Sequence, residues 1–240
     1  MRFLIILFVF CPASVSAQVI SNARITAMGD TGGSLANIAA YDASAVTFGY
    51  TKDLSSSHST SFNAMTVVAS NVGNFGLLAQ RHALGKDFTE VGFGILYSKS
   101  IGSRVLTAVS FGYRHLSFIE NHTNSKATFD VAARYYLNPE WLVGIQANPA
   151  GFVFDMSYVF DKQVLLALES EYDWQYGFDL RTGLEYALTH WLWLRGGLSV
   201  NHFKQFTGVG FIRNKMGLDL SLEYHPKLGY SSHISLNYAF

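Results

Sequence analysis

Residues 231–240 read SSHISLNYAF, which sets Ile234, Leu236, Tyr238 and Phe240 on alternate positions against His233, Ser235 and Asn237. Alternation is the two-residue period of a strand with one apolar face. The preceding stretch, KMGLDLSLEYHP (215–226), repeats it. Met216, Leu218, Leu220, Leu222 and Tyr224 face one way, and Gly217, Asp219, Ser221, Glu223 and His225 the other.

The same dyad recurs towards the N terminus. It runs through FVFDMSYVFD (152–161), YGFDLRTGLEYAL (176–188) and ATFDVAARYYLN (127–138). It continues through Val91, Phe93, Ile95 and Tyr97, and through Val105, Val109, Phe111 and Tyr113. Strands of about 9–12 residues are expected almost throughout. No segment after residue 45 sustains a helical period.

Composition says what the apolar face meets. Hydrophobic residues make up 49% of the 240-residue chain and aromatics 15%, with four prolines and 14% charge. Past the first residues no run reaches the 18 apolar positions of a membrane helix. A chain this apolar, with its apolar residues spread one in two, fits a membrane barrel. Lipid-facing positions there are apolar with aromatic girdles, and the lumen is polar. A soluble sandwich also alternates, but its wet face is rich in Lys and Thr and its edges are blunted. Here the polar face carries Gly, Ser and scattered acids and arginines. Closure also removes unpaired edges, which lipid cannot hydrate. No basic face or charge run recommends nucleic acid.

The opening MRFLIILFVFCPASVSA (1–17) reads as a secretory signal peptide. Arg2 is its positive start, Phe3 to Phe10 its short apolar core, and Val15-Ser16-Ala17 its small-residue cleavage site. Cleavage near Ala17 removes Cys11, the only cysteine, and leaves a net charge of about −1. An outer-membrane location is therefore expected, with both barrel termini in the periplasm. Counting back from a closing strand at 230–240 gives thirteen strands from Ser59 onward. SAVTFGY (44–50) supplies the one more that an even total requires. Fourteen is the expected count, with twelve the alternative. Long loops fall outside, and the longest polar connection, IENHTNS (119–125), lands there. Residues 18–43, rich in Ala and Gly, are expected to be a small plug, with a disordered periplasmic leader the alternative, and 44–240 the barrel; small residues permit close backbone packing on a lumen wall.

Two stretches carry a resemblance. ARITAMGDTGGSLAN (23–37) resembles the AR-x-x-AMG opening of PorV/PorQ-like outer-membrane proteins of the FadL-type (fatty-acid transporter) barrel superfamily. The C-terminal third resembles the same group at Gly183 to Tyr186, Arg195-Gly196-Gly197, Gly208 to Phe211, and the His225-Pro226 and Leu228-Gly229 corner. The chain departs where that group carries an NPAG-like turn soon after the opening; its own NPAG is at Asn148 to Gly151. The resemblance implies a fourteen-stranded barrel with an N-terminal plug. It further implies either passage of small apolar solutes or a scaffold part in type IX protein secretion, with secretion-system proteins as partners.

The candidate lumen charges are Asp130, Arg134, Asp155, Glu169, Glu171, Asp179, Arg181, Glu185, Arg195, Asp219 and Glu223. Clustered carboxylates can act as acid and base. Acids and arginines inside a narrow barrel more often pair across neighbouring strands, because an isolated buried charge costs several kcal/mol. Such pairs would hold the plug. His225 and His233 are expected at the lumen mouth, where a pair of histidines can bind metal or sense pH but more often bonds to the wall. No histidine stands at metal-ligand spacing, so neither metal nor cofactor is expected. Nothing marks out one serine for a phospholipase-like dyad, and a barrel enzyme is the least supported reading. Tyr238 and Phe240 fit the terminal signal read by barrel-assembly machinery, which with outer-membrane lipid completes the expected partners. Trp141, Trp174 and Trp191 read as interface anchors; Trp193 falls on the lumen side without a role.

Overall fold

The computed structural model describes residues 22–54, 59–85, 87–118, 123–201 and 203–240. The signal reading (1–17), the start of the 18–43 segment and most of the 119–125 loop lie outside these residues. Fourteen strands follow one another: β1 (Ala45–Asp53), β2 (Ser59–Val68), β3 (Asn74–Leu84), β4 (Phe88–Ile101), β5 (Val105–Phe118), β6 (Thr123–Tyr136), β7 (Trp141–Asn148), β8 (Gly151–Phe160), β9 (Val164–Asp173), β10 (Gly177–Ala187), β11 (Leu192–Ser199), β12 (Lys204–Arg213), β13 (Met216–His225) and β14 (Gly229–Ala239). Each pairs antiparallel with its sequence neighbours. β1 closes the ring on β14, from Ala45 opposite Ala239 to Asp53 opposite Ser231.

Fourteen is thus the strand number, and SAVTFGY falls largely within β1. The turns fall at the breaks in alternation. Those of one end follow β2, β4, β6, β8, β10 and β12, on the side where β1 begins and β14 ends.

Short turns need acceptors for the backbone donors they leave unpaired. Asn138 Oδ1 accepts from the amides of Glu140 and Trp141 at 2.9 and 2.8 Å, and Asn148 Oδ1 from those of Ala150 and Gly151 at 2.8 and 3.0 Å. Asp173 does the same for Gln175 and Tyr176. Proline follows the cap at Asn138 and Asn148, as it does at His225. The later NPAG is therefore a tight β7–β8 turn. At β8–β9, three residues separate the paired Phe160 and Val164; Asp161 and Lys162 both take left-handed φ, 48° and 56°, and the Gln163 amide donates to the Phe160 carbonyl at 3.3 Å.

The outer face is apolar and open: Phe93, Ile95, Phe111, Phe129, Phe154 and Phe178 are all exposed. Aromatic pairs gather at its two rims. Phe75–Tyr97, Trp141–Tyr158, Trp191–Phe211 and Tyr238–Phe240 ring the end holding the barrel termini. Phe152–Tyr172, Tyr172–Trp174 and Tyr224–Tyr230 ring the other. Bulky apolar groups left outside between two aromatic belts are what a lipid-embedded barrel presents. No helix among the described residues is long and apolar enough to cross a membrane.

Residues 22–43 lie inside the ring. Helix α1 (Ala23–Ala27) is capped by Asn22, whose Oδ1 accepts from the Ile25 amide at 2.9 Å. A 3-10 helix follows at Leu35–Ala40. The first packs against β11–β14 and the second against β4–β6, so one short segment touches opposite arcs of the wall.

Candidate functional site

The lumen has two chemically different walls. On β2–β6 the inward face towards the terminal rim is mostly apolar, with Met65, Val67, Leu96, Leu106, Ala108 and Ala132 beside the buried Asn74, Ser98 and Arg134. Ala36, Ile38, Ala39 and Tyr41 of the inner segment bury themselves there. Asn74 holds the segment's backbone, its Nδ2 donating to the carbonyls of Ile38 and Tyr41 at 2.7 and 2.9 Å.

The opposite wall is charged, and one chain of ion pairs runs from it into α1. Arg24 donates from Nε and Nη2 to the two oxygens of Glu185, each at 2.5 Å. Arg195 donates from Nε to Glu185 Oε2 at 2.6 Å and from Nη1 to Asp219 Oδ1 at 2.6 Å. Asn237 Nδ2 donates to Asp219 Oδ2 at 2.9 Å. All five side chains are buried. Two guanidiniums alternate with two carboxylates, the arrangement that lets such charges leave water.

Glycines make this approach possible. A Cβ on Gly197 would lie 2.3 Å from Gly29 N, one on Gly183 2.3 Å from Met28 O, and one on Gly208 2.5 Å from Ala27 Cβ. Neighbouring β10, β11 and β12 thus form a side-chain-free saddle for Ala27-Met28-Gly29. The AMG opening and the C-terminal glycines that carry the resemblance are two halves of one contact.

The remaining candidate charges fall into smaller groups. Arg134 pairs with Asp155, donates to Asn37 Oδ1 of the inner segment, and reaches Ser157 Oγ at 3.4 Å. Arg181 pairs with Glu171, with Asp179 at 3.0 Å and with Glu169 at 3.4 Å; Asp179 also accepts from Ser199 and the Asn201 amide. Glu223 takes Lys204 at 2.8 Å, with His233 Nε2 at 3.6 Å. Asp130 stands apart from these groups and accepts from Ser110 Oγ at 2.9 Å. Asp30 faces Arg181, Glu223, Lys204 and His233 from the inner segment, outside the strands. Desolvation pushes its carboxyl above the ordinary range despite the pull of Arg181, Lys204 and His233.

His225 and His233 do not meet. His225 Nδ1 accepts from the Lys227 and Leu228 amides and so caps its turn. His233 lies opposite Ser221, four residues along the ladder, with Nδ1 2.9 Å from Thr51 Oγ1. Ser61 Oγ is 2.6 Å from His82 Nδ1, but Glu90 across the next strand is held by Gln80 and Arg114 at 3.4 and 3.5 Å. Among the described residues no three His, Cys, Asp or Glu side chains gather as a metal set. Tyr238 and Phe240 stack on the outer face, centroids 6.2 Å apart.

Sequence reasoning missed Arg24, Asp30, Asn37, Asn74 and Lys204. Arg24 had a signal: it is the one basic residue in an otherwise small and apolar segment that must enter the barrel.

No family model matches the chain, and no curated protein matches it by sequence. Solved structures do match by fold. The toluene transporter TodX of Pseudomonas putida superposes with a TM-score of 0.71 at 10% identity, over 94% of this chain and 98% of that one. The monoaromatic hydrocarbon channel CymD gives 0.71 at 9% identity, again over 94% and 98%. A FadL homologue of Pseudomonas aeruginosa gives 0.65 at 10%, over 94% and 99%. At such identity the likeness establishes the barrel fold and not the cargo.

Proposed function

We propose that this chain is an outer-membrane barrel of FadL type that passes small apolar solutes, with residues 18–43 as a movable plug. The observation that carries this reading is the split lumen. An apolar inner wall on β2–β6 is covered by the 3-10 helix, and the helix is held by few polar tethers, chiefly Asn74 and Arg134. Lifting it would open an apolar track along one side of an otherwise charged channel. The lumen charges then serve to seat the plug, as the Arg24–Glu185 pair does, and not to bind cargo. The fold shared with TodX and CymD, named for toluene and monoaromatic hydrocarbons, favours a solute of that class. The leader would be cleaved near Ala17, and Tyr238 and Phe240 would serve barrel assembly.

Toluene entry into cells with a lipopolysaccharide-bearing outer membrane tests this. Expression of the chain should speed entry, and Leu96→Asp on the apolar wall should abolish the gain. Equal entry with and without the chain would overturn the reading.

A sealed barrel also suits the PorV/PorQ-like role of a type IX secretion scaffold, and the buried latch on Arg24 favours such a seal. Envelope proteins that co-purify with a chain inert to toluene would select that reading.

A further inference from the structure

Beside the apolar wall, where β1 adjoins β2, the inner face of three neighbouring strands carries no bulky apolar side chain. Inward positions are Ala, Thr, Gly or Asp on β1; Ser, His, Asn or Ala on β14; and Gly, Asp, Ser, Glu or His on β13. Four polar atoms on this face are buried yet find no hydrogen-bond partner among the described residues: Thr47 Oγ1, Ser221 Oγ, Ser235 Oγ and Asn237 Oδ1. They form one patch. Thr47 lies opposite Asn237, Ser235 is the next inward residue on β14, and His233 beyond it lies opposite Ser221.

A buried hydroxyl or amide without a partner has given up its bonds to water for nothing, so native interiors rarely keep one. A wall built to stay covered would carry Ala or Val, as the other wall does at Val67, Ala108 and Ala132, with one such buried hydroxyl at Ser98. Four unpartnered groups in one patch mark a surface matched to water and shut off from it. Helix α1 packs along its flank on β11–β14.

We propose that the inner faces of β13, β14 and β1 form a second, polar lane, which hydrates when the plug moves and then passes water and small inorganic ions. The lane shares the movable plug with the apolar route but none of its wall. Apolar solutes would follow β2–β6, and ions would follow the seam where the first and last strands meet.

The test is single-channel recording of the full chain in planar lipid bilayers in potassium chloride, with no apolar solute present. Wild type should show discrete openings. Thr47→Val with Ser235→Ala removes two unpartnered hydroxyls, which favours the covered state. It should raise the thermal midpoint and lower the open fraction by about tenfold. Ser235→Cys should leave the openings in place but let a cationic methanethiosulfonate block them, with wild type as the control for Cys11. The lane is overturned by a silent wild type, by Ser235→Cys openings indifferent to the reagent, or by a double variant that melts lower and conducts as wild type does. Toluene entry, measured separately, reports on the apolar route alone.

Discussion

Arg24 on the inner helix and Glu185 on β10 share two hydrogen bonds of 2.5 Å, 161 residues apart in sequence. The pair is buried, and Glu185 keeps a second partner in Arg195. Arg24→Met should therefore unseat the helix without dismantling the barrel. Breaking a buried pair from one side costs about 3 kcal/mol, the low end of the usual range, because Arg195 still compensates Glu185. Limited proteolysis within residues 22–43 should become fast while heat-modifiability of the barrel on gels is kept. In a double-mutant cycle, Arg24→Met with Glu185→Gln should cost less than the sum of the single changes.

Gly197 and Gly196 are neighbours on β11 with opposite environments. A Cβ on Gly197 would strike Gly29 N at 2.3 Å, whereas one on Gly196 meets nothing closer than 3.8 Å. Gly197→Ala should lift the Ala27-Met28-Gly29 backbone from its saddle and expose the segment to protease. Gly196→Ala should behave as wild type in the same assay. Equal behaviour of the two variants would remove the saddle as the reason for glycine at 197.

Much of this was legible in the sequence, and the reason is the period. In a strand, alternation alone decides which side chains point inward, so Asp155, Glu169, Asp179, Glu185, Arg195 and Asp219 could be assigned to one face without a fold. Strand number followed from parity and from SAVTFGY. Partners were not legible. Alternation says that Glu185 faces the lumen but not that Arg24, from a segment outside the pattern, meets it there. The histidines show the same limit: both sit on the inward parity, yet one caps a turn and the other lies four residues away along the ladder. The glycine saddle was visible only as a resemblance, because a missing side chain has meaning only once something lies against it.

Asp30 gives the plug a pH dependence of known sign. Desolvation raises its carboxyl above the ordinary value of about 3.9, against the pull of Arg181, Lys204 and His233 and with Glu223 adding to the rise. Glu169 faces the same group. A raised carboxyl means that the docked state favours the proton. Its contribution to docking is full below the ordinary value and is lost as pH rises through the raised one. Protease sensitivity of residues 22–43 should therefore grow with pH over that window, and Asp30→Asn should flatten the growth. The difference between wild type and Asp30→Asn isolates the carboxyl from other groups. A difference that stays constant with pH would refute the assignment.

Phe93 decides what surrounds the barrel. Its ring is 63% exposed on the outer face of β4, four residues from Tyr97 at the terminal rim and five from Phe88 towards the other. In water, Phe93→Arg would swap an exposed ring for a solvated charge, a change that surfaces tolerate within about 0.5 kcal/mol. In lipid the same change places a guanidinium near the middle of the apolar band, where it costs roughly 2–4 kcal/mol. Phe203, 73% exposed in the turn between β11 and β12, lies beyond the band. Phe203→Arg should therefore stay within about 1 kcal/mol. Urea unfolding from phospholipid vesicles measures both. A large loss for Phe93→Arg with a small one for Phe203→Arg is the depth dependence that only a bilayer imposes. Equal small effects would mean that the apolar face meets something other than lipid.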